Sequence, residues 1–215
     1  NNIFKEGAVV KPGGFSVDNA YEFVKLDPTS TGVGATVGEI ITGATSGIRA
    51  EVLERVAAIA GDPHTYYIRY VNTASSSTTS TTPRFTPGES LGSGRVVQII
   101  NTPANPAVGK GTRVTVGEGI YFTQGFFVYT ETQQTIIAKY SDAPTLDVGF
   151  KIKQEVFGVD DDLQLYDNQG TSINTTAPGA DRYKVTLTLT ASDTVDSDEN
   201  FIHVVSVKDG AVFTA

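Results

Sequence analysis

The chain has no cysteine, no methionine and no tryptophan, and it carries only two histidines, His64 and His203. Without cysteine there are no disulfide staples, no thiolate metal sites and no cysteine nucleophile. Two histidines rule out a multi-histidine metal centre. No apolar run approaches the ~18 residues that a spanning helix needs, so no membrane span is expected, and no secretory signal is visible. An excess of positive charge is also lacking: 16 basic side chains face 24 acidic ones, for a net charge of −8. Residues 1–141 hold 11 acidic and 11 basic side chains, whereas residues 142–215 hold 13 and 5. Nothing in this balance attracts a phosphate backbone, and nucleic acid is not an expected partner. The chain begins Asn1-Asn2 and reads as a segment of a longer polypeptide.

What the chain has in quantity is threonine (28), glycine (22), serine (14) and proline (9). With many β-branched residues, this composition predicts short strands, frequent turns and little or no helix. Residues 1–27 read as two or three strands turned at Pro12-Gly13-Gly14 and Asp18-Asn19, and residues 28–47 as a small curved sheet. The stretch Ile48–Ala60 fits helical spacing at Val52, Val56 and Ile59 but alternates at Ile48, Ala50 and Val52. A strand pair turning at Gly61-Asp62-Pro63 into Thr65–Val71 is the favoured reading, with a helical turn as the alternative. Val96–Ile100 reads as a strand. From Thr112 onward the alternation is clearest, and in Arg182–Thr190 it is strongest, with Tyr183, Val185, Leu187 and Leu189 on one face. Asp209-Gly210 predicts a two-residue turn in a closing hairpin.

Residues 73–83 hold no large apolar side chain and cannot bury enough surface to offset their ordering entropy. They predict a Ser/Thr-rich loop or tether between two small β-sandwich or barrel-like modules, 1–72 and 84–215. The expected fold class is all-β.

Motifs that carry chemistry are few. Gly88-Glu89-Ser90-Leu91-Gly92 matches the G-x-S-x-G nucleophile elbow by letters, but that motif needs a strand before and a helix after the serine, and the flanks predict loop into strand. Gly109-Lys110-Gly111-Thr112 lacks the first glycine of a phosphate loop, since position 104 is Ala. Asp160-Asp161-Asp162 with Asp167 and Asp181 lacks EF-hand spacing and reads as a solvated loop. His64 is expected at an exposed turn and His203 in a strand, partly buried and hydrogen-bonded. Asn174-Thr175-Thr176 is a glycosylation sequon by letters only. No catalytic residue, cofactor site or metal site is assigned. Aromatic residues cluster at Tyr66, Tyr67 and Tyr70, and again at Tyr121, Phe122, Phe126, Phe127 and Tyr129. Exposed, such rings make a sugar platform or a protein interface; turned inward, they are core.

Residues 112–212 carry Gly119-Ile120-Tyr121-Phe122, Gly125-Phe126-Phe127-Val128, Gln134-Thr135-Ile136-Ile137, Val148-Gly149-Phe150, Leu165-Tyr166-Asp167-Asn168-Gln169-Gly170, Ala177-Pro178-Gly179-Ala180-Asp181-Arg182 and Val207-Lys208-Asp209-Gly210 in that order. This segment resembles the DUF4815 family, a domain of bacteriophage tail-fibre and other virion structural proteins. The resemblance implies a structural, non-enzymatic role in the tail-fibre or baseplate region of a virion. It implies other virion proteins and copies of the same chain as partners, a homotrimer by analogy with such fibres, and host attachment as the setting. A carbohydrate-binding module that grips host glycans is the alternative. Interface candidates are Tyr66, Tyr67, Tyr70, Tyr121, Phe126 and Tyr129. Asp181 is expected to cap the Pro-Gly turn while Arg182 pairs with the acidic loop.

Overall fold

The computed structural model describes residues 4–72, 84–162, 165, 168–169, 172–173, 181–195 and 200–213. The Ser/Thr-rich stretch, Asp167, the sequon and the Pro-Gly turn at 177–180 lie outside these residues. The chain is all-β, with a short 3-10 turn at Ser192–Thr194 and no α-helix among the described residues. No helix there is long and apolar enough to cross a membrane. In chain order the strands are β1 (Ala8–Lys11), β2 (Phe15–Lys25), β3 (Ile40–Thr42), β4 (Arg49–Val56), β5 (Thr65–Asn72), β6 (Ser90–Gly92), β7 (Arg95–Val96), β8 (Val108–Val116) and β9 (Gly119–Thr123). They continue with β10 (Phe126–Thr130), β11 (Gln133–Ala138), β12 (Leu146–Phe157), β13 (Asn168–Gln169), β14 (Ser172–Ile173), β15 (Arg182–Ala191), β16 (Phe201–Lys208) and β17 (Ala211–Phe213). Within the ambiguous stretch at 48–60, Arg49–Val56 is therefore strand, since its alternating residues Ala50 and Val52 find a covered face, and the chain then leaves the strand for a turn bridged at Ile59 and Asp62.

Three antiparallel sheets organise the molecule: β11-β8-β2-β5-β4-β3, β15-β12-β16-β17 and β1-β9-β10. The first sheet corrects the expected division into modules at 73–83. Strand β2 pairs with β8 from Phe15↔Val116 to Val24↔Val108, so strands from both sides of the Ser/Thr stretch share one hydrogen-bonded ladder. The physical reason is a bulge in β2 between Asp18 and Tyr21. An extra residue bends the strand and re-aims its side chains. Before the bulge Val17 packs towards one core with Val114 and Val116; after it Val24 enters another with Leu26, Tyr66, Ile68, Phe85, Leu91 and Val97. The boundary between packing units thus crosses strands β2 and β8.

The first core lies under residues 85–107, which fold over one face of the large sheet. The second is shared by β8, β9 and β11 with β12, β15 and β16, around Tyr121, Phe150, Leu187, Leu189 and Val205. A third, smaller cluster of Tyr21, Phe23 and Tyr67 covers the opposite face of the large sheet. Gly149 marks a bulge between β12 and β16, where a Cβ would collide with the carbonyl oxygen of Ile202. The closing hairpin turns at Asp209 and Gly210, both at positive φ, as the turn chemistry predicts. Two expectations fail locally. Residues 28–47 supply only β3, and Val96–Ile100 leaves the strand after Val96, where the Val97 and Gln98 N–H groups donate to Glu89 O and Lys25 O and Gln98 Nε2 donates to Ile100 O at 2.6 Å.

Candidate interaction surface

The three-stranded sheet β1-β9-β10 has one face on the second core and the other in solvent. Alternation decides which ring goes where. Within the β9–β10 hairpin Tyr121 pairs with Val128 and Gly119 with Thr130, and these residues turn inward. Tyr121 is buried edge-on against Phe150, with ring centroids 4.8 Å apart. Ile120 pairs with Tyr129 and Phe122 with Phe127 on the outer face. Phe127 is 58% exposed and Tyr129 54% exposed. Phe4 joins them from the N-terminal segment: its ring lies 5.5 Å from Phe122 and 5.3 Å from Phe127, the latter edge-on. Phe122 and Phe127 are themselves 5.4 Å apart. These rings form one contiguous solvent-facing aromatic face, which makes it the candidate for contact with another molecule.

Polar groups rim the face. Glu118 accepts hydrogen bonds from Lys11 Nζ and the Tyr129 hydroxyl, each at 3.0 Å. The bond to Lys11, followed by that to Tyr129, holds the Glu118 carboxyl below its usual range, and the same contacts raise Lys11 and Tyr129. The turn between β9 and β10, with Gln124 and Gly125 at positive φ, is pinned by Glu6, which accepts from the Thr123 hydroxyl and the Gln124 N–H. Next to this turn Phe126 is half exposed and stands 5.6 Å from the ring of Tyr183 on β15.

The other candidates lie elsewhere. Tyr66 and Tyr67 are fully buried and Tyr70 is half-buried against Phe85, so they form core and offer no sugar platform. Their position inside the large sheet, flanked by β2 and β4, explains this. Tyr67 stacks on Tyr21 at 4.6 Å and donates to Lys139 O. Burial pushes the Tyr70 hydroxyl up to about 12 and raises Tyr21 and Tyr67 as well. Tyr121 is also core. Arg182 is exposed, and among the described residues it pairs with neither Asp160 nor Asp161; in that ladder Glu155 pairs with Lys153 at 2.6 Å and with Lys184 at 3.5 Å. Asp181 does approach the acidic loop: a Cβ at Gly158 would meet its Oδ1 at 2.9 Å. Its expected capping of the Pro-Gly turn concerns residues outside those described.

The G-x-S-x-G segment ends in strand β6, which pairs with β7 in a hairpin. Ser90 Oγ accepts the Gly92 N–H there, with no helix following, and Glu89 is a buried structural carboxylate. Gly109 and Gly111 lie inside β8, where a Cβ would strike the Phe23 ring and the Ala138 and Lys139 carbonyls. His64 is half-buried and its Nδ1 accepts the Ala58 N–H. His203 is exposed rather than partly buried, because it lies on the outer side of β16. It contacts Ser206 Oγ at 3.0 Å, which donates to Asp147 at 2.6 Å. With the serine in the middle and donating to the carboxylate, this order is the wrong one for a nucleophile activated by its histidine. Among the described residues no three His, Asp or Glu side chains converge for a metal.

Phe4 escaped sequence reasoning, since an isolated phenylalanine near a terminus carries no period. Phe122 and Phe127 belonged to the noted cluster, and pairing register identifies their face. The chain matches no protein-family model, no curated protein and no solved structure, so the resemblance over 112–212 stands on its quoted motifs alone.

Proposed function

We propose that the chain is a structural segment that works through contact between proteins, as part of a bacteriophage tail-fibre or baseplate-associated protein. The observation that carries this reading is the uncovered aromatic face of Phe4, Ile120, Phe122, Phe127 and Tyr129. The same hairpin holds two of the motifs on which the DUF4815 resemblance rests, Gly119–Phe122 and Gly125–Val128. In this reading copies of the chain assemble as a homotrimer and the aromatic face is a contact surface, with burial of the rings as the driving term. The test is light-scattering mass of the full chain, with Phe127→Asp as the probe. A trimer that the substitution converts to a monomer supports the reading; a wild-type monomer at high concentration overturns it.

The alternative, glycan binding, is favoured by one observation: Phe127 and Tyr129 offer exposed rings beside the Glu118 and Lys11 side chains. Glycan-array binding lost on Tyr129→Ala identifies that function instead.

A further inference from the structure

Lys25 ends β2 and is almost wholly withdrawn from solvent. Its ammonium donates to Asn105 Oδ1 at 2.8 Å and lies on the ring of Tyr140, 3.7 Å from the centroid, with the Phe23 ring 5.8 Å away. A buried lysine ordinarily meets a carboxylate, because desolvating a charge beside a neutral amide is costly. Asp62 acts on Lys25 through space, but its oxygens are engaged by Lys139 Nζ at 2.7 Å and the Tyr140 hydroxyl at 2.5 Å. Burial lowers the Lys25 ammonium below its usual range, and the Asp62 charge draws it part of the way back. The neutral amine, a nucleophile, is thereby brought nearer to hand.

The amide is equally well placed. Asn105 sits in an exposed turn closed by paired backbone hydrogen bonds with Thr102, at 3.0 and 3.2 Å, and by the Thr102 hydroxyl at 3.1 Å. The next residue is Pro106. An asparagine commonly loses its side-chain nitrogen to attack by the following backbone N–H, and proline has none. The competing route is closed, and the amine hydrogen-bonded to this amide is that of Lys25.

We propose that Lys25 and Asn105 condense into an intramolecular isopeptide bond. The ammonium first yields a proton to solvent at the exposed turn. Nζ then attacks Cγ of Asn105 and a C–N bond forms. The Cγ–Nδ2 bond breaks, and the departing nitrogen takes one hydrogen from Nζ and leaves as ammonia. The product is a secondary amide that keeps the other hydrogen, and no oxidant, reductant or cofactor enters. The contact supplies the proximity that such a step requires. The Asp62 carboxylate opposes the positive charge that grows on Nζ, and the Tyr140 ring covers one side of the reacting amine. The bond welds the end of β2 to the segment entering β8, where Lys25 N–H already donates to Ala107 O at 2.8 Å. It closes a loop that contains the Ser/Thr-rich stretch, and so constrains the unfolded chain as a disulfide does in a protein without cysteine.

The inference stands on Lys25 chemistry and is independent of the proposed assembly. Its test is the intact mass of the full chain after prolonged incubation in the folded state, followed by peptide mapping. The expected result is a mass lower than the sequence mass by one ammonia, a branched peptide joining Lys25 to Asn105, and faster migration on a denaturing gel. Lys25→Met and Asn105→Ala should each restore the full mass. A wild-type mass equal to the sequence mass overturns the proposal without any variant having to fold. An ammonia loss that persists in Lys25→Met belongs to another amide and overturns it as well.

Discussion

Strands β5 and β10 carry nearly the same aromatic texture, Tyr66-Tyr67-Ile68-Arg69-Tyr70 against Phe126-Phe127-Val128-Tyr129, and meet opposite fates. Tyr66 and Tyr67 point to opposite faces of β5, yet both are fully buried. The strand lies inside a six-stranded sheet, and each face there has its own hydrophobic cluster. Strand β10 is the edge of a three-stranded sheet with a single covered face. Its inward residues Val128 and Thr130 pack, while Phe127 and Tyr129, and Phe126 beside the turn, remain largely in water. Alternation tells which residues share a face; the number of covered faces is decided by tertiary neighbours.

The largest expected effect breaks this comparison if it fails. Tyr67→Ala removes a ring that is stacked on Tyr21 and hydrogen-bonded to Lys139 O, and should cost about 3–5 kcal/mol of stability. Phe127→Ala should stay within about 0.5 kcal/mol for the isolated chain, since its ring is mostly solvated. Urea unfolding midpoints measure both. Equal losses would mean that β10 is as deeply packed as β5.

A smaller effect sharpens the same contrast with carboxylates. Glu89 is buried and accepts the N–H groups of Thr86 at 2.5 Å, Thr45 at 3.1 Å and Ser46 at 2.9 Å, tying the turn before β4 to the turn before β6. Glu89→Ala leaves those donors unpaired and should cost about 1–3 kcal/mol. Glu118 is exposed on the aromatic rim, and Glu118→Ala should leave the unfolding midpoint within experimental scatter. A midpoint shift for Glu118 matching that of Glu89 would refute the assignment of the rim to solvent.

Most strands of the fold were legible as local patterns. The alternation of Arg182–Thr190 and of Thr65–Val71, and the Asp209-Gly210 turn, needed nothing beyond period and turn chemistry. The pairing of β2 with β8 was not legible, because the intervening Ser/Thr stretch describes itself and says nothing about which strands meet across it. The bulge at Asp18–Tyr21, which lets one strand serve two cores, leaves no distinct letters either. Of the interface candidates, Phe126 and Tyr129 are exposed, whereas Tyr66, Tyr67 and Tyr121 are core and Tyr70 is half-buried against it. The Lys25–Asn105 contact joins residues 80 positions apart, and no local period points to it.

At neutral pH the buried tyrosines contribute no titration effect at all, and the contrast with β10 emerges only in alkali. Unfolded tyrosines ionise at about 10. Burial raises Tyr70 to about 12, and raises Tyr21, Tyr67 and Tyr140 beyond the ordinary range. Below the unfolded value both states keep their protons, and the contribution of these groups is fully present. Above it the unfolded chain releases protons that the folded chain retains, so stability falls as pH climbs from about 10 towards about 12. Tyrosinate absorbance should therefore rise in two steps. The first, from exposed rings, leaves the circular dichroism unchanged; the second coincides with its loss, because the buried hydroxyls ionise only as the sheet opens. A single step that completes while the dichroism stays native would show that β5 and its partners are as open to solvent as β10.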